Sequence, residues 1–431
     1  MNYYSLNHEA PETSFKEAVI RGLAPDKGLY FPKSIRPLDN LFWENLKDYS
    51  NEEIAFRAMR QFVDTAMPDE TLKHILKETL SFDFPVVSFN DNIATLELFH
   101  GPTMAFKDVG ARFMARCLGF FNDELSEEVT VLVATSGDTG GAVANGFLGV
   151  KGVNVVILYP KGKVSDIQER QLTTLGQNIT ALRVDGVFDD CQDMVKRAFL
   201  DKSLTSKMQL TSANSINVAR WLPQMLYFIF AYKQVYETHE DITFSVPSGN
   251  FGNICAGMMA QQLGMPVKQF IASNNANNTV TEFLESGEYI AKPSVQTISN
   301  AMDVGNPSNF IRIKEIYGND FDRIKAHLTS YSFDDQETRL AMKEIYDSFN
   351  YVADPHGAVG YLGCKKYLEK NPDAHCIFLE TAHPTKFLDV VEDVIDKEVA
   401  LPQQIAGLMD KQKSFKDIHS YEQLKSFLLD E

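Results

Sequence analysis

The middle of the chain alternates compact apolar runs with segments of helical pattern. The apolar runs are rich in β-branched residues and are bounded by turn residues, which predicts strands buried on both faces. These strands are predicted over residues 128–135, 153–159, 179–184, 242–246, 267–272 and 376–380. Residues 188–200 and 254–263 have helical patterns, and Ser165 with Gln168 matches a capping box, a side-chain pair that begins many helices. The alternation indicates an α/β fold built on parallel sheets with right-handed crossovers.

The flanking segments have other patterns. Residues 52–66 and 69–80 carry polar helical patterns, and residues 291–310 are rich in Pro, Ser and Asn, which predicts a loop or a lid. The tail after Leu401 is predicted to be helical and charged. We therefore expect an N-terminal helical and irregular segment over 1–92, a first α/β lobe over 93–235 and a second α/β lobe over 236–431.

Composition and charge narrow the class of protein. The 431 residues are 44% hydrophobic and 23% charged, which is typical of a globular protein and not of a disordered one. The 58 acidic residues exceed the 41 lysines and arginines, which gives a net charge of −17. Nucleic acids and anionic membranes are bound through Lys and Arg, so neither is an expected partner. A small anionic ligand stays compatible, because a few backbone N–H groups can hold one phosphate.

The cysteine pattern, the N-terminal sequence and the lengths of the apolar runs indicate the compartment in which the protein is expected. The five cysteines are scattered without a CxxC pair, so we expect neither a disulfide framework nor a zinc site, and no metal is predicted. The N-terminus is polar and lacks the apolar stretch of a signal peptide. The longest apolar run, residues 221–231, is shorter than the ~20 residues that a membrane helix needs. We therefore expect a soluble, cytoplasmic protein.

Two Gly-rich turns each lie between a predicted strand and a predicted helix, where open α/β sheets bind their ligands. The first is SGDTGG, residues 136–141, whose backbone N–H groups are expected to face outward beside Ser and Thr hydroxyls, as a carboxylate or phosphate requires. The second is VPSGNFGN, residues 246–253, where two glycines let the backbone approach a ligand. It is neither a Walker A loop nor GxGxxG, so neither a nucleoside triphosphate nor a dinucleotide is indicated. For both turns the alternative is an ordinary helix cap.

Two further segments carry chemically active side chains. Lys107 lies in HGPTMAFKD, and a lysine in apolar surroundings loses proton affinity, so that its amine can act as a nucleophile and base near neutral pH. The alternative is a solvated surface lysine. In ETAHP, Thr381 ends a predicted strand, where its hydroxyl can meet a ligand ring. His383 in the same segment is either a general base or, as is more common before proline, a structural turn residue.

Five motifs, in this order, resemble those of the threonine synthase family: HGPTMAFKD, TSGDTGG, SANSINVARWLPQ, PSGNFGN and ETAHP. The N-terminal stretch YYSLNHEAPETSFKEAVIRGLAPDKGLYFP extends the resemblance over nearly the whole chain. Related dehydratases and sulfhydrylases share single motifs, but the five together are similar to the longer microbial and fungal branch. The resemblance implies a pyridoxal-phosphate enzyme of tryptophan-synthase-β-like fold (fold type II). Two open, twisted, parallel-sheet lobes would then enclose the cofactor, with an N-terminal appendage.

The resemblance also implies roles for individual residues. Lys107 matches the lysine that binds pyridoxal 5'-phosphate as a Schiff base and carries the catalytic proton transfers. Thr381 matches the residue that faces the pyridine nitrogen, where a hydroxyl makes the ring a weaker electron sink than a carboxylate would. The implied cradle for the cofactor phosphate consists of Gly249, Asn250, Phe251, Gly252 and Asn253. The implied binding loop for the substrate carboxylate consists of Ser136, Gly137, Asp138, Thr139 and Gly140.

Asp138 departs from the pattern of shorter relatives, which carry Asn at this place and use it to reach the 3′-oxygen of the cofactor. An ionised carboxylate would repel a phenolate-like oxygen. Either that contact differs in this protein, or the two groups share a proton. Asp138 is therefore a candidate cofactor-binding residue whose ionisation the sequence leaves open.

The family reaction implied by the resemblance converts O-phospho-L-homoserine and water into L-threonine and phosphate. Phosphate is eliminated from Cγ and water adds at Cβ, so the substrate phosphate needs donors separate from the cofactor cradle. Arg220 offers a bidentate fork and Lys163 a second positive charge. Asn214 and Ser215 offer neutral donors. The alternative to a phosphate contact is that Arg220 pairs with a carboxylate. For Lys163, the alternative is a solvent-exposed side chain without a binding role.

Other functions match part of the same pattern. A threonine or serine dehydratase of the same fold would share Lys107 and both Gly-rich turns, but it needs no second phosphate site. A catalytically silent homologue that binds phosphorylated ligands would have no physical need for a buried amine. A nicotinamide-dependent oxidoreductase would also alternate strands and helices, but the GxGxxG motif is lacking. The sequence leaves the oligomeric state open between a monomer and a homodimer.

Overall fold

The computed structural model describes residues 1–125 and 128–430. The strands in these residues are β1 (Asn2–Ser5), β2 (Thr13–Ser14), β3 (Tyr30–Pro32), β4 (Val86–Ser88), β5 (Ile93–Glu97), β6 (Val129–Ala134), β7 (Val153–Pro160), β8 (Ile179–Val184), β9 (Gln209–Ser212), β10 (Ile242–Pro247), β11 (Gln269–Asn274), β12 (Leu328–Ser332), β13 (His375–Glu380) and β14 (Lys416–Ile418).

The helices in the same residues are α1 (Phe15–Arg21), α2 (Asn40–Glu44), α3 (Asn51–Val63), α4 (Asp69–Thr79), α5 (Lys107–Leu125), α6 (Asp138–Phe147), α7 (Asp166–Thr173), α8 (Phe188–Leu200), α9 (Lys202–Thr205), α10 (Val218–Trp221), α11 (Met225–Val235), α12 (Gly252–Gln262), α13 (Thr279–Ser286), α14 (Phe310–Ile316), α15 (Phe321–His327), α16 (Asp335–Phe349), α17 (Pro355–Leu368), α18 (Leu388–Ile395), α19 (Gln403–Met409) and α20 (Tyr421–Asp430). Short 3-10 turns lie at Leu46–Asp48, Asp64–Ala66, Leu222–Gln224, Asn300–Met302 and Pro384–Phe387.

The described residues group into two compact units. The first unit comprises Met1, Phe31–Phe106 and Trp221–Ala400. The second comprises Asn2–Tyr30, Lys107–Arg220 and the chain from Leu401 onward. Neither unit is a continuous stretch of chain, and the predicted division into domains at residues 92 and 235 stays a prediction.

The first unit is built on a six-stranded sheet with the order β12-β11-β10-β13-β5-β4. Neighbouring strands are parallel except for the edge pair β4–β5, which is antiparallel. Every residue of β10, β11 and β13 is buried, as expected of central strands covered on both faces. Helices α16 and α17 pack against this sheet in a core that includes Ile345, Tyr361 and Phe378.

The second unit is built on a five-stranded, all-parallel sheet with the order β14-β8-β7-β6-β9. A core that includes Leu132, Leu182, Val195 and Leu424 joins its strands to α8 and α20. Helices α5 and α6 pack against each other, and Gly146 allows their backbones to approach: a Cβ there would lie 3.1 Å from the carbonyl carbon of Ala111.

The predicted α/β class with parallel sheets is confirmed. Strand β8 and helix α8 have the predicted bounds, and Ser165 begins α7 with the predicted capping box. Residues 291–309 form a loop with one 3-10 turn before α14 begins at Phe310. A role for this loop as a lid stays a prediction.

The prediction for the C-terminal tail was incomplete. The tail forms α19 and α20, as its pattern predicted, but the residues of β14 lie between these helices and pair with β8. Arg183 of β8 holds Asp417 of β14 through two hydrogen bonds, Nε–Oδ1 at 2.7 Å and Nη2–Oδ2 at 3.0 Å. Three residues carry too little pattern for a strand to be predicted, because the partner strand supplies most of its stabilisation.

Within the described residues, none of the helices combines the length and the apolar character that a membrane span requires. All five cysteines are buried and free. Burial raises the pKa of Cys191 and Cys255 to about 12, so both thiols stay protonated at neutral pH. They therefore pack as small apolar groups and are not nucleophiles.

Candidate active site

Lys107 is the first residue of α5 in the second unit. Its amine lies 3.9 Å from Oδ2 of Asp138, the first residue of α6. The side chain of Asp138 is 4% exposed and that of Lys107 is 17% exposed. Opposite charges attract strongly where water is largely excluded. The pair therefore holds the amine beside a buried carboxyl group, at a separation longer than a hydrogen bond.

Helix α6 begins in the SGDTGG turn, which a preceding residue holds in shape. Oγ1 of Thr135 accepts hydrogen bonds from the N–H groups of Gly137 (3.0 Å) and Gly140 (2.8 Å). Two of the N–H groups that were expected to face outward are thus bound within the turn. Ser136 and Thr139 are partly exposed, and their binding of a substrate carboxylate stays a prediction.

The GNFGN turn connects β10 to α12 in the first unit. Phe251, immediately before α12, has a left-handed backbone with φ 61° and ψ 12°. The first hydrogen bond of the helix runs from the Cys255 N–H to the Phe251 carbonyl. The N–H groups of Gly252 and Asn253 therefore lie at the start of the helix, where backbone donors and the helix dipole favour an anion.

Asn250 of the same turn is held by the residues around the start of α14. Ser308 donates from its N–H (2.6 Å) and its hydroxyl (2.7 Å) to Oδ1 of Asn250. Asn309 donates from Nδ2 to the Asn250 carbonyl (3.1 Å), and the buried Arg312 donates from Nη1 to Oδ1 of Asn309 (2.7 Å). Both oxygens of Asn250 are engaged in these bonds. Its side chain can therefore offer a ligand only its amide N–H groups.

Gly249 is tightly packed against backbone atoms, which predicts a strong effect of substitution. A Cβ at Gly249 would lie 2.7 Å from Cα of Met302 and 2.8 Å from the carbonyl oxygen of Ala301. Overpacking typically costs 1–3 kcal/mol, so we expect Gly249→Ala to lower the affinity for pyridoxal phosphate about tenfold or more. Titration of the cofactor-free protein with pyridoxal phosphate measures this. Gly407→Ala is the matched control, because no heavy atom lies within 4 Å of its Cβ. Wild-type affinity in the Gly249 variant would contradict the prediction.

The backbone beside Gly249 belongs to a loop that a polar cluster holds in place. Oδ1 of Asp303 accepts hydrogen bonds from Nδ2 of Asn275 (2.9 Å) and Oγ1 of Thr297 (2.7 Å). Oδ2 of Asp303 accepts the N–H of Thr297 (3.0 Å). Asn275 follows β11, so the cluster ties this loop to the carboxyl end of that strand. Burial raises the pKa of Asp303 to about 6, although the hydrogen bonds oppose the shift.

The raised pKa of Asp303 predicts a pH dependence of stability. Its pKa in the folded protein, about 6, exceeds the ordinary 3.8. Folding therefore favours the protonated form of Asp303. The stabilisation that Asp303 contributes is complete below about pH 4 and is lost as the pH rises through about 6. We expect the urea midpoint of the wild type to decrease, relative to that of Asp303→Asn, as the pH is raised from 4 to 6. A constant difference over this window would show that Asp303 is not the titrating group.

Thr381 follows β13 in the first unit and is 6% exposed. Its carbonyl accepts the N–H of Phe106 (2.9 Å), and Ala382 forms an antiparallel bridge with Ala105. The segment that leads into Lys107 is therefore anchored to the end of β13.

His383 makes structural contacts. Its Nδ1 accepts the N–H of Thr385 (3.2 Å), so the ring caps the 3-10 turn at Pro384–Phe387. Burial, followed by the charge of Lys386, lowers the pKa of His383 to about 4. A neutral ring whose Nδ1 already accepts a hydrogen bond favours the structural alternative over a general base.

Asp354, which caps the N-terminus of α17, lies under the residues that follow β13. Its Oδ1 accepts the N–H groups of His356 and Gly357 and the ring Nδ1–H of His356 (2.9 Å). Its Oδ2 accepts the N–H of Ala382 (3.1 Å), the residue after Thr381. One fully buried carboxylate therefore receives four hydrogen bonds and fixes the backbone at the end of β13.

His356 extends this arrangement to the GNFGN turn. Ala301 donates its N–H to Nε2 of His356 (3.2 Å), so the ring proton lies on Nδ1. The carbonyl of Ala301 is one of the atoms packed against Gly249. Oε1 of Glu380 accepts the Asp354 N–H, and burial together with the Asp354 charge raises the pKa of Glu380 well above its ordinary value. The buried cluster around Asp354 therefore favours the protonated form of Glu380.

Arg220 is buried in the second unit. Its Nη1 donates to the Ala213 carbonyl, and it packs against Gly110 of α5, where a Cβ would lie 3.1 Å from Nε of Arg220. Burial lowers the pKa of Arg220 to about 10, while the carboxylate of Asp108 opposes this shift. The guanidinium is therefore charged at neutral pH.

The other three residues predicted to bind the substrate phosphate also lie in the second unit. Lys163 is exposed in the connection between β7 and α7, whereas Asn214 and Ser215 are partly exposed after β9. These positions do not test phosphate binding, so the role stays a prediction for all four residues.

Three residues that shape these turns were not predicted from the sequence. Thr135 directly precedes SGDTGG, and a hydroxyl at a helix start is a local pattern that could have identified it. Asp354 followed by Pro355 marks the start of a helix, but the bonds from Asp354 to Ala382 and from His356 to Ala301 join distant parts of the chain. Such contacts leave no local pattern in the sequence.

Matches to family models first assign the chain to a class of enzymes. Residues 91–380 match the family model described as "Pyridoxal-phosphate dependent enzyme". Residues 2–80 match "Threonine synthase N terminus", and residues 357–428 match "Threonine synthase, C-terminal". The first match places the chain among pyridoxal-phosphate-dependent enzymes, and the other two narrow the class.

Full-length relatives agree with these matches. The threonine synthase of Haemophilus influenzae is 41% identical over 437 residues, which cover 100% of both chains. The crystal structure of threonine synthase from Escherichia coli matches with a TM-score of 0.94 at 38% identity over 100% of both chains. The structure of pyridoxal-phosphate-bound threonine synthase from Brucella melitensis matches with a TM-score of 0.92 at 33% identity, over 99% of this chain and 98% of that one. The chain therefore belongs to the threonine synthase family of pyridoxal-phosphate-dependent enzymes, and the predicted family, fold type and cofactor are confirmed.

The described residues fit this cofactor. The turn at Gly249 has no room for a side chain, and the start of α12 presents N–H groups, as a bound phosphate requires. Lys107 has a partly buried amine, as a residue that would bind the cofactor aldehyde needs. When bound, pyridoxal phosphate supplies an electron sink for the α-carbon of an amino acid. Within residues 1–125 and 128–430, no group of three or more His, Cys, Asp or Glu side chains is arranged to hold a metal ion.

Proposed function

We propose that the protein converts O-phospho-L-homoserine and water into L-threonine and phosphate. The observation that carries the proposal is the largely buried Lys107–Asp138 pair, with 3.9 Å between Nζ and Oδ2, in a chain of this family. In the reaction, Cγ loses phosphate and gains a proton, while Cβ loses a proton and gains the hydroxyl of water. The remaining proton of water balances the released phosphate.

Lys107 is proposed as the catalytic residue. Its amine takes the Cα proton of the substrate and returns it, which a single movable amine can do as base and then as acid. The position of Lys107 at the start of α5 supports this role, because its backbone is fixed while its side chain remains partly accessible. Ser136, Gly137 and Thr139 are proposed to bind the substrate carboxylate, which the partial exposure of Ser136 and Thr139 supports.

The proposed cofactor contacts are divided by function. The turn of Gly249, Asn250, Phe251, Gly252 and Asn253 would hold the phosphate through its backbone N–H groups. Thr381 would face the pyridine nitrogen, and Asp138 would lie beside the Lys107 amine. The close packing at Gly249 and the hydrogen bonds to both oxygens of Asn250 support the first assignment, since they preshape the turn for its ligand.

Arg220, Lys163, Asn214 and Ser215 are proposed to bind the substrate phosphate. The positive charge of Arg220 and the partial exposure of Asn214 and Ser215 support this. We also propose a cytoplasmic location, which the five free, buried cysteines support because reducing compartments keep thiols unpaired.

The test is product analysis with the purified protein loaded with pyridoxal phosphate. From O-phospho-L-homoserine we expect threonine and phosphate in equal amounts. A dehydratase would instead form a keto acid from threonine or serine and release no phosphate. A silent homologue would give neither product. Either of these results would overturn the proposed substrate while leaving the family assignment in place.

A further inference from the structure

We propose that Gln168 is a positioning residue that orients the Asp138 carboxyl group toward Lys107. The inference deepens the proposed function and rests on the assignment of Lys107 as the amine that reacts with the cofactor. Gln168 is the third residue of α7 and is 1% exposed. Its two polar atoms are bound to two different segments of the second unit.

The carbonyl oxygen of Gln168 is bound to the start of its own helix. Ser165 donates its N–H to Oε1 of Gln168 (3.1 Å), and the Gln168 N–H donates to Oγ of Ser165 (3.2 Å). This reciprocal pair determines the orientation of the carboxamide, because only oxygen can accept the Ser165 N–H. The amide nitrogen must therefore point away from Ser165.

The amide nitrogen of Gln168 meets Asp138. Nε2 donates to Oδ1 of Asp138 at 3.0 Å, and both groups are buried. Since an amide N–H can only donate, Oδ1 must act as an acceptor and carries no proton on the side that faces Gln168. The other oxygen, Oδ2, lies 3.9 Å from Nζ of Lys107. The two oxygens of Asp138 are thereby distinguished: Oδ1 faces Gln168, and Oδ2 faces Lys107.

The first glycine of the SGDTGG turn makes room for this contact. A Cβ at Gly137 would lie 2.4–2.5 Å from the three end atoms of the Gln168 carboxamide. Gly137 also has a φ of 137°, which other residues rarely adopt. Any other residue at 137 would displace Gln168. The glycine of the motif therefore serves the Gln168–Asp138 contact as well as the bend of the backbone.

The two neighbours of Asp138 differ in charge. Lys107 faces Asp138 from α5, and the uncharged carboxamide of Gln168 faces it from α7. The carboxamide therefore orients the Asp138 carboxyl group through a hydrogen bond without adding a charge beside Lys107.

Two substitutions separate the capping role of Gln168 from its positioning role. Gln168→Glu keeps an oxygen for the Ser165 N–H, and Glu is well suited to this position of a capping box. It replaces the amide donor with a second ionisable carboxyl group about 3 Å from Asp138, so full ionisation of the site would place two negative charges side by side. Ser165→Ala removes the side chain of the cap but leaves the Gln168–Asp138 contact in place.

The readout is the pH titration of the absorbance of bound pyridoxal phosphate in the substrate-free holoenzyme. We expect Gln168→Glu to move the titration midpoint to higher pH by about one unit or more, because added negative charge near the cofactor favours protonation. Ser165→Ala should lower the melting temperature and leave the midpoint unchanged. An unchanged midpoint in Gln168→Glu, or an equal shift in both variants, would overturn the proposal.

Two further variants cover the remaining outcomes. If Gln168→Glu does not fold, Gln168→Met decides, since it removes the donor to Asp138 without adding charge and should also raise the midpoint. Lys107→Ala separates this inference from the proposed function. A titration that persists without Lys107 would refute the assignment of the amine. A titration that needs Lys107 but is insensitive to both Gln168 variants would refute the role of Gln168 alone.

Discussion

Lys107→Ala is expected to lower threonine formation by at least about 10³-fold while the protein stays folded. The variant removes the amine that is proposed to bind the cofactor aldehyde and to carry the Cα proton. Lys107 is the first residue of α5 and is partly exposed, so alanine there neither opens a core cavity nor interrupts the helix. Threonine and phosphate assays measure the effect, together with the absorbance of the protein-bound cofactor.

Two control variants distinguish the loss of the reactive amine from the loss of positive charge and from the removal of any lysine. Lys107→Arg keeps a positive charge for Asp138 but has no amine that can be deprotonated, so we expect a folded and inactive protein. Lys151→Ala removes an exposed lysine from the same unit and should leave the rate unchanged. Turnover near the wild-type rate in Lys107→Ala would exclude Lys107 as the catalytic amine.

Asp354→Ala is expected to cause the second large effect, a combined loss of stability and of cofactor affinity. The carboxylate accepts four hydrogen bonds, and alanine would leave their donors buried without an acceptor. One such group costs about 1–3 kcal/mol, so a total of at least about 3 kcal/mol is expected. At about 2 °C or more per kcal/mol, the melting temperature should fall by at least about 6 °C.

The effect of Asp354 on the cofactor follows from its position. Its bonds fix Ala382 beside Thr381 and, through His356, the Ala301 backbone against Gly249. Asp354→Asn is the matched control: its oxygen can keep the three hydrogen bonds near α17, but its NH2 group would face the Ala382 N–H. We expect Asp354→Asn to lose less stability than Asp354→Ala but still to bind pyridoxal phosphate more weakly than the wild type. If Asp354→Ala binds the cofactor as tightly as the wild type, the cluster supports only the fold.

The fold was predictable where a segment's own pattern determines its structure. Residues 179–184 and 188–200 have such patterns, and β8 and α8 occur at the predicted bounds. The pattern of α5 was missed, because the helix packs through Gly110 and carries polar residues such as Asp108 and Arg112 among its apolar ones. The local pattern of β14 was equally weak, since its partner strand is far away in the sequence.

The candidate site likewise contains residues that a local sequence pattern identifies and residues that only the folded structure reveals. Lys107 and the two Gly-rich turns lie in continuous motifs, so the sequence identifies them. Gln168 was found as a helix cap, but its contact with Asp138 spans 30 residues and became visible only when α6 and α7 were placed side by side. A residue that acts through another residue depends on the folded arrangement, and its own neighbours in the sequence do not reveal it.

The position of β14 has a consequence for the newly made chain. This strand covers the edge of the five-stranded sheet by pairing with β8. An uncovered β8 would present a row of backbone donors and acceptors together with Leu182 and Val184, which is the kind of edge that recruits strands from other molecules. During synthesis that edge stays open until Ile418 has emerged, long after the rest of the sheet is present. This late strand therefore covers an edge that could otherwise pair with other molecules, and proteolytic loss of β14 would expose that edge again.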